Sequence, residues 1–258
     1  MSRWRALVVL AGFAAFTLPL MPLQWLLLKL WPGMARRFPM HYHRSVLRIL
    51  GVRLKVIGEV TPRGPTLIAS NHVSWLDIVV LSAVAPVSFI AKREVGGWPF
   101  FGTLARLQRT VFVDRDRRHA TGQARDAMRE RLKAGDILVL FAEGTSSDGQ
   151  HVLPFKSAFF GAAEYEGVLV QPVTLAYAGH RNLPMPRRLM PFYAWYGDME
   201  LPPHLWQAVG MGPIEVTAIC HAPLSLSGDA TRKRLARHAE ETVRRGLVAA
   251  LHRRGKMG

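Results

Sequence analysis

The sequence is poor in cysteine: Cys220 is the one cysteine among 258 residues, so no internal disulfide bond can form. This excludes a small disulfide-stapled scaffold and agrees with a reducing compartment. Cys220 ends an apolar run that begins at Ile214, and we therefore expect a core residue rather than a nucleophile.

Acidic residues are also scarce, with 18 Asp and Glu against 34 Lys and Arg, which gives a net charge of +16. Such a basic chain implies an anionic partner, which could be nucleic acid, an anionic membrane or a phosphorylated ligand. Internal repeats and low-complexity tracts are missing too. The length, with 49% hydrophobic residues, suffices for one sizeable core plus an accessory segment.

Charged residues are absent between Arg5 and Lys29, a stretch that is nearly all apolar. A continuous helix over this stretch would reach about 35 Å, enough to cross the hydrocarbon core of a bilayer. Pro19 and Pro22 interrupt the stretch, and two short helices on either side of them could instead form a hairpin within one leaflet. We expect membrane contact in either arrangement. A cleaved signal peptide is disfavoured because the run is long and no small-x-small site follows it.

Basic residues flank this segment, and the positive-inside rule then places the following domain on the cytoplasmic side of the inner membrane. The same charges could bind anionic headgroups. They are Arg3, Arg5, Lys29, Arg36, Arg37, Arg44 and Arg48. His41 and His43 lie among them. We expect surface or interfacial histidines there rather than metal ligands, because no further ligand has suitable spacing.

Strands alternate with helices after the apolar segment, which indicates an α/β fold with a mixed sheet flanked by helices. We expect residues 1–50 to form a membrane-associated helical segment and residues 51–258 an α/β domain with a basic C-terminal helix. The predicted strands are 52–57, 66–69, 87–91, 110–113, 137–141, 168–175 and 214–220. The predicted helices are 75–83, 98–107, 119–134, 155–165 and 232–254.

His72 and Asp77 form the first candidate pair, a general base and its carboxylate partner five positions apart. Five helical steps put two side chains about 140° apart, so the pair cannot share a helix face. They can meet if His72 lies in the turn before a helix and Asp77 in its first turn. The alternative is that Ser74 caps this helix, with Asp77 completing a capping box and His72 a simple turn residue.

Polar clusters follow three of the predicted strands, and open α/β sheets place their sites at such strand ends. The clusters are Asn71-His72…Asp77, Phe112-Val113-Asp114-Arg115 and Phe141-Ala142-Glu143-Gly144-Thr145. Together they resemble the glycerolipid acyltransferase family, specifically the bacterial 1-acylglycerol-3-phosphate acyltransferases.

The resemblance rests on four motifs in the family's order, over roughly residues 45–180. The first cluster looks like the family's Asn-His-x4-Asp motif. The second motif is matched by Lys92-Arg93-Glu94-Val95, Trp98-Pro99, Gly102 and Phe112-Val113-Asp114-Arg115. The third and fourth are matched by Glu143-Gly144-Thr145 with Pro154-Phe155-Lys156, and by Val170-Gln171-Pro172-Val173.

The resemblance implies acyl transfer from an acyl thioester, on coenzyme A or acyl carrier protein, to the sn-2 hydroxyl of 1-acylglycerol-3-phosphate, giving phosphatidic acid. His72 would take the hydroxyl proton, and Asp77 would hold the imidazole tautomer and stabilise the imidazolium. Backbone N–H groups near the helix start are candidate oxyanion donors. No covalent acyl-enzyme is needed, and no Gly-x-Ser-x-Gly elbow exists to form one. No cofactor or metal is expected beyond the acyl co-substrate.

Six further residues are carried over from the family as substrate contacts. The basic ones could bind a phosphate or headgroup, although a solvated surface position is the alternative for each. Glu143 could anchor the acceptor or brace its loop, and Gly144 would let the backbone approach a ligand. For Asn71, stabilising a turn is as plausible as catalysis. The six are Lys92, Arg115, Glu143, Gly144, Thr145 and Lys156.

One position departs from the family pattern. The third motif usually continues with an Arg that is regarded as a phosphate ligand, and Ser146 stands there instead. This raises an alternative in which the acceptor is another lysolipid, such as lyso-ornithine lipid. Lysophosphatidic acid is the first expectation because the second motif, with Arg115, is complete.

Two rival functions remain in other classes. The positive charge would allow nucleic-acid binding. The apolar N-terminus, the lack of a recognisable binding motif and the acidic residues in the clusters argue against it. A membrane-anchored thioester hydrolase would use water rather than a lipid as acceptor.

Overall fold

The computed structural model describes residues 1–61, 64–113, 120–165, 167–225 and 231–255. The helices are α1 Arg3–Leu30, α2 Pro32–Leu50, α3 Leu76–Val84, α4 Phe101–Leu107, α5 Ala120–Lys133, α6 Leu201–Met211 and α7 Arg232–Gly255. Three further segments are 3-10 helices: Arg93–Gly97, Ser157–Glu164 and Arg187–Phe192. The strands are β1 Val52–Ile57, β2 Thr66–Ser70, β3 Val87–Lys92, β4 Val111–Val113, β5 Ile137–Phe141, β6 Leu169–His180, β7 Leu183–Pro184, β8 Ile214–Cys220 and β9 Leu224–Ser225.

The strands form one mixed sheet in the order β1-β8-β6-β2-β5-β3-β4, with β7 and β9 paired to β6. Neighbours along this order are parallel except β8 and β6, which run antiparallel. In the register, Ser70 at the end of β2 pairs with Phe141 of β5 and Val173 of β6. The expected α/β class, a mixed sheet flanked by helices with an N-terminal apolar helix, is confirmed.

The central strands are apolar throughout because helices cover both faces of the sheet. Successive side chains of a strand point to opposite faces, so Leu67 and Ile68 enter two different cores. Ile68 packs with Val80 and Tyr177 in the core beneath α1, α2, α3 and α6. Leu67 packs with Leu247 in the core beneath α5 and α7.

Helix α1 runs through Pro19 and Pro22 without a break, so the hairpin of two short helices at these prolines is not formed. Both prolines lie on the exposed side, while Ala6 and Leu27 are buried near the two ends. Packing along its length therefore holds the helix together despite the missing donors. The chain turns at Trp31. Among the described residues, α1 is the one helix long and apolar enough to cross a membrane.

Two other differences have local causes. Strand β6 continues to His180 through Pro172 because its outer neighbour changes there, from β9 beside Val170 to β8 beside Val173. The missing proline N–H thus costs no ladder bond. Helix α6 lies in a proline-rich stretch that gave no helical prediction, but its prolines occupy the first turn, where no donor is needed.

Candidate active site

His72 lies in the turn between β2 and α3, and Asp77 is the second residue of α3. The His72 Nδ1 and Asp77 Oδ2 atoms are 2.8 Å apart. This is the turn-and-first-turn arrangement that the five-residue spacing predicts.

Asp77 is fully buried, and four donors surround its carboxylate. Besides His72, its Oδ2 accepts the N–H groups of Val73 at 2.6 Å and Ser74 at 2.9 Å. Its Oδ1 accepts the hydroxyl of Tyr177 at 2.7 Å. The carboxylate therefore reaches back as in a capping box and also orients the imidazole. Ser74 itself makes no cap bond, since Trp75 occupies the N-cap position.

The same contacts narrow one expectation about the oxyanion. The N–H groups of Val73 and Ser74, in the turn before α3, already donate to Asp77 and are not available to a developing oxyanion. The N–H groups of Trp75 and Leu76, at the helix start itself, stay candidates.

Contacts to the ring of His72, to its backbone N–H and to its backbone carbonyl fix the position of the residue. The ring stacks on Phe141 with centroids 3.8 Å apart. The His72 N–H donates to Glu143 Oε2 at 3.3 Å, and its carbonyl accepts the Ser147 N–H at 2.8 Å. Because a carboxylate only accepts, Nδ1 carries the proton and Nε2 keeps its lone pair. In this tautomer Nε2 could accept a proton from a hydroxyl placed beside it.

Buried hydrogen bonds of Glu143 and Asn71 stabilise the turn that carries His72. Glu143 is buried and accepts the Leu153 N–H at 3.0 Å in addition to that of His72. Burial raises the pKa of Glu143 to about 8. Asn71, also buried, pairs its amide with the N–H and carbonyl of Leu175 at 2.8 and 2.9 Å. These contacts brace the loop and clip β2 to β6.

The other residues carried over from the family take different positions. Gly144 has a φ of +74°, and a Cβ there would lie 2.8 Å from Lys156 Nζ, so the lysine covers the glycine backbone. Lys92, Thr145 and Lys156 are exposed around the site. Arg115, like Asp114 before it, lies outside the described residues.

A cavity of about 480 Å³ extends from His72 between the sheet and the N-terminal helices. Its wall is mostly apolar and is supplied by α1, α2, α3 and α4. Lys92, Gly144, Thr145 and Ser146 stand at the same cavity as His72. The arrangement combines a general base with a space that suits a long apolar chain.

Two features of the site gave no signal in the sequence. Tyr177 lies in an apolar strand, where a tyrosine is indistinguishable from an ordinary core residue. Much of the cavity wall comes from α1 and α2, whose apolar residues suggested only membrane contact.

Comparisons with known proteins give the family. The family model described as Acyltransferase matches residues 53–176. A lyso-ornithine lipid O-acyltransferase from Brucella abortus is 47% identical over 254 residues, covering 96% of this chain and 95% of its own length. A 1-acyl-sn-glycerol-3-phosphate acyltransferase from Neisseria meningitidis is 37% identical over 217 residues, covering 83% and 82%. The crystal structure of the 1-acyl-sn-glycerophosphate (LPA) acyltransferase PlsC from Thermotoga maritima matches with a TM-score of 0.69 and 22% identity, covering 96% of this chain and 97% of that one.

The chain therefore belongs to the acyltransferase family, and it has the fold of the Thermotoga protein. The family resemblance drawn from the four motifs is confirmed. Relatives named for two different acceptors both match over most of their length, so membership defines the class of reaction, and the acceptor has to be argued from the site.

Proposed function

We propose that the chain is an O-acyltransferase that moves a fatty acyl group from an acyl thioester to the hydroxyl of lyso-ornithine lipid. The observation that carries the reaction is the His72–Asp77 pair at the apolar cavity. The donor thioester is carried on coenzyme A or acyl carrier protein. Lysophosphatidic acid, the first expectation from the sequence, becomes the second candidate.

The chemistry follows from the state of the imidazole. His72 Nε2 removes the proton of the acceptor hydroxyl while its oxygen attacks the thioester carbonyl. A C–O bond forms, the C–S bond breaks, and the proton passes from the imidazolium to the departing thiolate. Asp77 stabilises the imidazolium in between. The products are an ester and a free thiol, with no acyl group on the protein.

The cavity is assigned to the acyl chain. Its lining residues on α1 run from Leu10 to Gln24, about 21 Å at the rise of an α-helix. That length suits an extended long-chain acyl group. The thioester then lies at His72 with the chain pointing away from the acceptor. Burial of the chain supplies binding energy remote from the reacting carbon.

Three observations support lyso-ornithine lipid as the acceptor. Relatives from Brucella abortus and Rhizobium meliloti, 47% and 42% identical, both carry that name and are covered over 95% and 85% of their lengths. Ser146 offers a neutral hydroxyl where a phosphate-binding Arg is expected. An ornithine headgroup carries one ammonium and one carboxylate. Lys156 lies against Gly144 at the cavity, and Asp148 follows Ser146 by two positions, so both signs of charge are available in this part of the chain.

Lysophosphatidic acid is the second candidate because the Neisseria relative acts on that class by name and covers most of this chain. Without an Arg at position 146, the phosphate would depend on Lys92, Lys156 and Arg115. A phosphate is best bound by bidentate guanidinium groups, and of these three residues Arg115 carries one while the two lysines do not, so the site would have one guanidinium fewer than the family pattern. This is why we place it second.

We further propose that α1 lies along the membrane surface rather than crossing it. The N–H of Ser2 donates to the Gly210 carbonyl at 3.0 Å, and Gln24 donates to the Leu107 carbonyl at 3.0 Å. These tethers are about 33 Å apart along the helix. A helix held to the domain over that distance cannot leave it to span a bilayer.

The exposed face of α1 fits this position, because it presents a row of large apolar side chains to the outside. The net charge of +16 favours an anionic, cytoplasmic leaflet of the inner membrane. Residues 1–50 would thus be a membrane-associated segment that also completes the acyl cavity of the domain at 51–258. The row is Trp4, Leu7, Val8, Leu18, Leu23, Trp25, Leu26 and Leu30.

The deciding experiment compares acceptors. Protein in vesicles is supplied with a labelled acyl donor, either acyl-coenzyme A or acylated acyl carrier protein. The acceptor is lyso-ornithine lipid in one series and lysophosphatidic acid in the other, and kcat/KM is measured for each acceptor. We expect the higher value for lyso-ornithine lipid. A higher value for lysophosphatidic acid would reverse our order. Free thiol released without any lipid product would indicate a hydrolase instead.

A further inference from the structure

The wall of the acyl cavity is not apolar throughout. Thr17 and Gln24 of α1 and Tyr42 and His43 of α2 line it together with the surrounding hydrocarbon side chains. Thr17 and Gln24 are buried, at 1% and 4% exposure. Polar groups in such a place need hydrogen-bond partners, because a saturated acyl chain offers none.

The hydrogen bonds of His43 leave one ring nitrogen free. Nδ1 lies 2.7 Å from the Pro39 carbonyl, which can only accept, so Nδ1 carries the proton. Burial lowers the pKa of His43 to about 4, which keeps the ring neutral. Nε2 is therefore an acceptor, and it has no hydrogen-bond partner in the part of the chain that the structure describes.

Gln24 repeats this pattern on the facing helix. Its Nε2 donates to the carbonyls of Ala35 and Leu107, each at 3.0 Å. Its Oε1 is buried without a partner among the described residues. The wall thus holds two neutral acceptors, His43 Nε2 and Gln24 Oε1, and no donor among the described residues reaches either of them.

The hydroxyls of Thr17 and Tyr42 complete the polar part of the wall. They are 2.8 Å apart, so one donates to the other. Thr17 stands midway between Leu10 and Gln24, the first and last lining residues of α1. The polar groups of Thr17, Tyr42 and His43 therefore lie part-way along the space assigned to the chain, where a chain atom passes them.

We propose that this cavity binds an acyl chain that carries a hydroxyl group part-way along its length, with that hydroxyl donating to His43 Nε2. The inference rests on the proposed function, since it assumes that the cavity holds an acyl chain. A plain alkyl chain would cover the His43 acceptor and leave it unpaired. A site built around a hydroxyl discriminates against the analogue that lacks it.

Binding can be tested without turnover. Trp75, Trp98 and Trp195 line the cavity, so their fluorescence reports its occupation. Full-length protein in lipid nanodiscs is titrated with octadecanoic acid and with isomers that carry one hydroxyl at successive carbons. We expect one isomer, or two adjacent ones, to bind about tenfold more tightly or better, while isomers hydroxylated near either end gain nothing.

His43→Leu tests the assigned acceptor, and His41→Leu is its matched control. Both change a histidine of α2, but His41 is exposed and does not line the cavity. We expect His43→Leu to remove the preference for the hydroxylated isomer and His41→Leu to retain it. If His43→Leu does not fold, His43→Phe serves instead, because it keeps an aromatic ring without a nitrogen acceptor, and it should remove the preference as well.

Equal binding of all the acids by the wild-type protein, or a preference that survives in the folded His43→Leu variant, would overturn the proposal. Transfer assays with two arms then show whether the cavity holds the acyl chain of the donor or that of the acceptor. One arm uses a donor with a hydroxylated acyl chain, and the other uses an acceptor whose chain carries a second hydroxyl. A rate gain in either arm identifies the source of the bound chain. Failure of the proposed function differs: no lipid product would form even from octadecanoyl-coenzyme A, whatever the binding preference.

Discussion

The hydroxyl of Tyr177 donates to Asp77 Oδ1 at 2.7 Å, from a residue 100 positions further along the chain. Tyr177 is fully buried in β6. Burial, and then the charge of Asp77, hold the pKa of Tyr177 well above its usual range, so it remains a donor. The carboxylate is therefore bound from the turn by one oxygen and from the sheet by the other, which leaves its orientation toward His72 no freedom.

Removal of this donor should loosen the site. In Tyr177→Phe one hydrogen bond to a charged group is lost, and we expect a loss of roughly 1.5–3 kcal/mol in the free energy of unfolding, with slower transfer. Tyr193→Phe is the control, because its buried hydroxyl meets the neutral His180 at 2.8 Å. Denaturant unfolding of both variants compares the losses. A larger loss in Tyr193→Phe would refute the special position of Tyr177.

The His72–Asp77 pair predicts two different losses of activity. His72→Ala should reduce transfer to background, since it removes the base that takes the hydroxyl proton in the proposed reaction. Asp77→Asn should reduce kcat by about 10³–10⁴-fold, because it removes the charge that stabilises the imidazolium and favours the wrong tautomer. Turnover is measured on vesicle-bound protein whose circular dichroism matches the wild type. Near-normal turnover by a folded His72→Ala variant would falsify the assignment.

The raised pKa of Glu143 predicts a pH-dependent stability. The folded-state pKa is about 8 against an ordinary 4.5, so the folded protein retains this proton where the unfolded chain has lost it. The contribution of this proton to the free energy of unfolding is fully present below pH 4.5, and it is lost as the pH rises through about 8. Glu143→Gln cannot titrate, so its stability relative to wild type should improve over that window.

The baseline of the glutamine variant is expected to be lower, because an amide nitrogen cannot accept the His72 N–H. The test is therefore how the difference in stability between the two proteins changes with pH, and not its absolute size. Melting temperatures of both proteins are recorded from pH 4 to pH 9, bracketing the cited pKa of about 8. A constant difference across that range would contradict the prediction.

Position 146 is expected to control the acceptor. Ser146→Arg places a guanidinium at the cavity mouth beside Gly144 and Thr145. We expect kcat/KM to fall for lyso-ornithine lipid and to rise for lysophosphatidic acid, by about 10- to 100-fold for one charge-assisted hydrogen bond. Ser146→Ala, which removes only the hydroxyl, should leave the ratio of the two values close to that of wild type. A rise for both acceptors would point to general charge attraction rather than recognition.

The exposed face of α1 should govern membrane binding. Leu7→Ser and Trp25→Ser each remove a large apolar side chain from this face, where the side chains are 52% exposed. The double variant should sediment less with neutral vesicles and should be released from anionic ones by salt. Val248→Ser on α7 is the matched control, because Val248 is equally exposed, at 52%, but lies on the C-terminal helix. Equal sedimentation of both variants would argue against α1 as the anchor.

Local signals in the sequence account for much of this structure. The period-2 and continuous apolar runs predict β1 to β5 and β8, and the five-residue spacing predicts the meeting of His72 and Asp77. What these signals miss depends on contacts distant in sequence. Tyr177 binds Asp77 across 100 positions, and α1 remains continuous through its prolines because the domain supports its whole length.

Both ends of the segment 144–146 are bonded to the backbone of His72, because Glu143 accepts the His72 N–H and Ser147 donates to the His72 carbonyl. Side chains within this segment can therefore change without loss of either hydrogen bond. Under the proposed function, a point substitution at 146 would alter the headgroup that the enzyme accepts while His72 keeps its position, so acceptor preference could diverge among relatives that share one reaction.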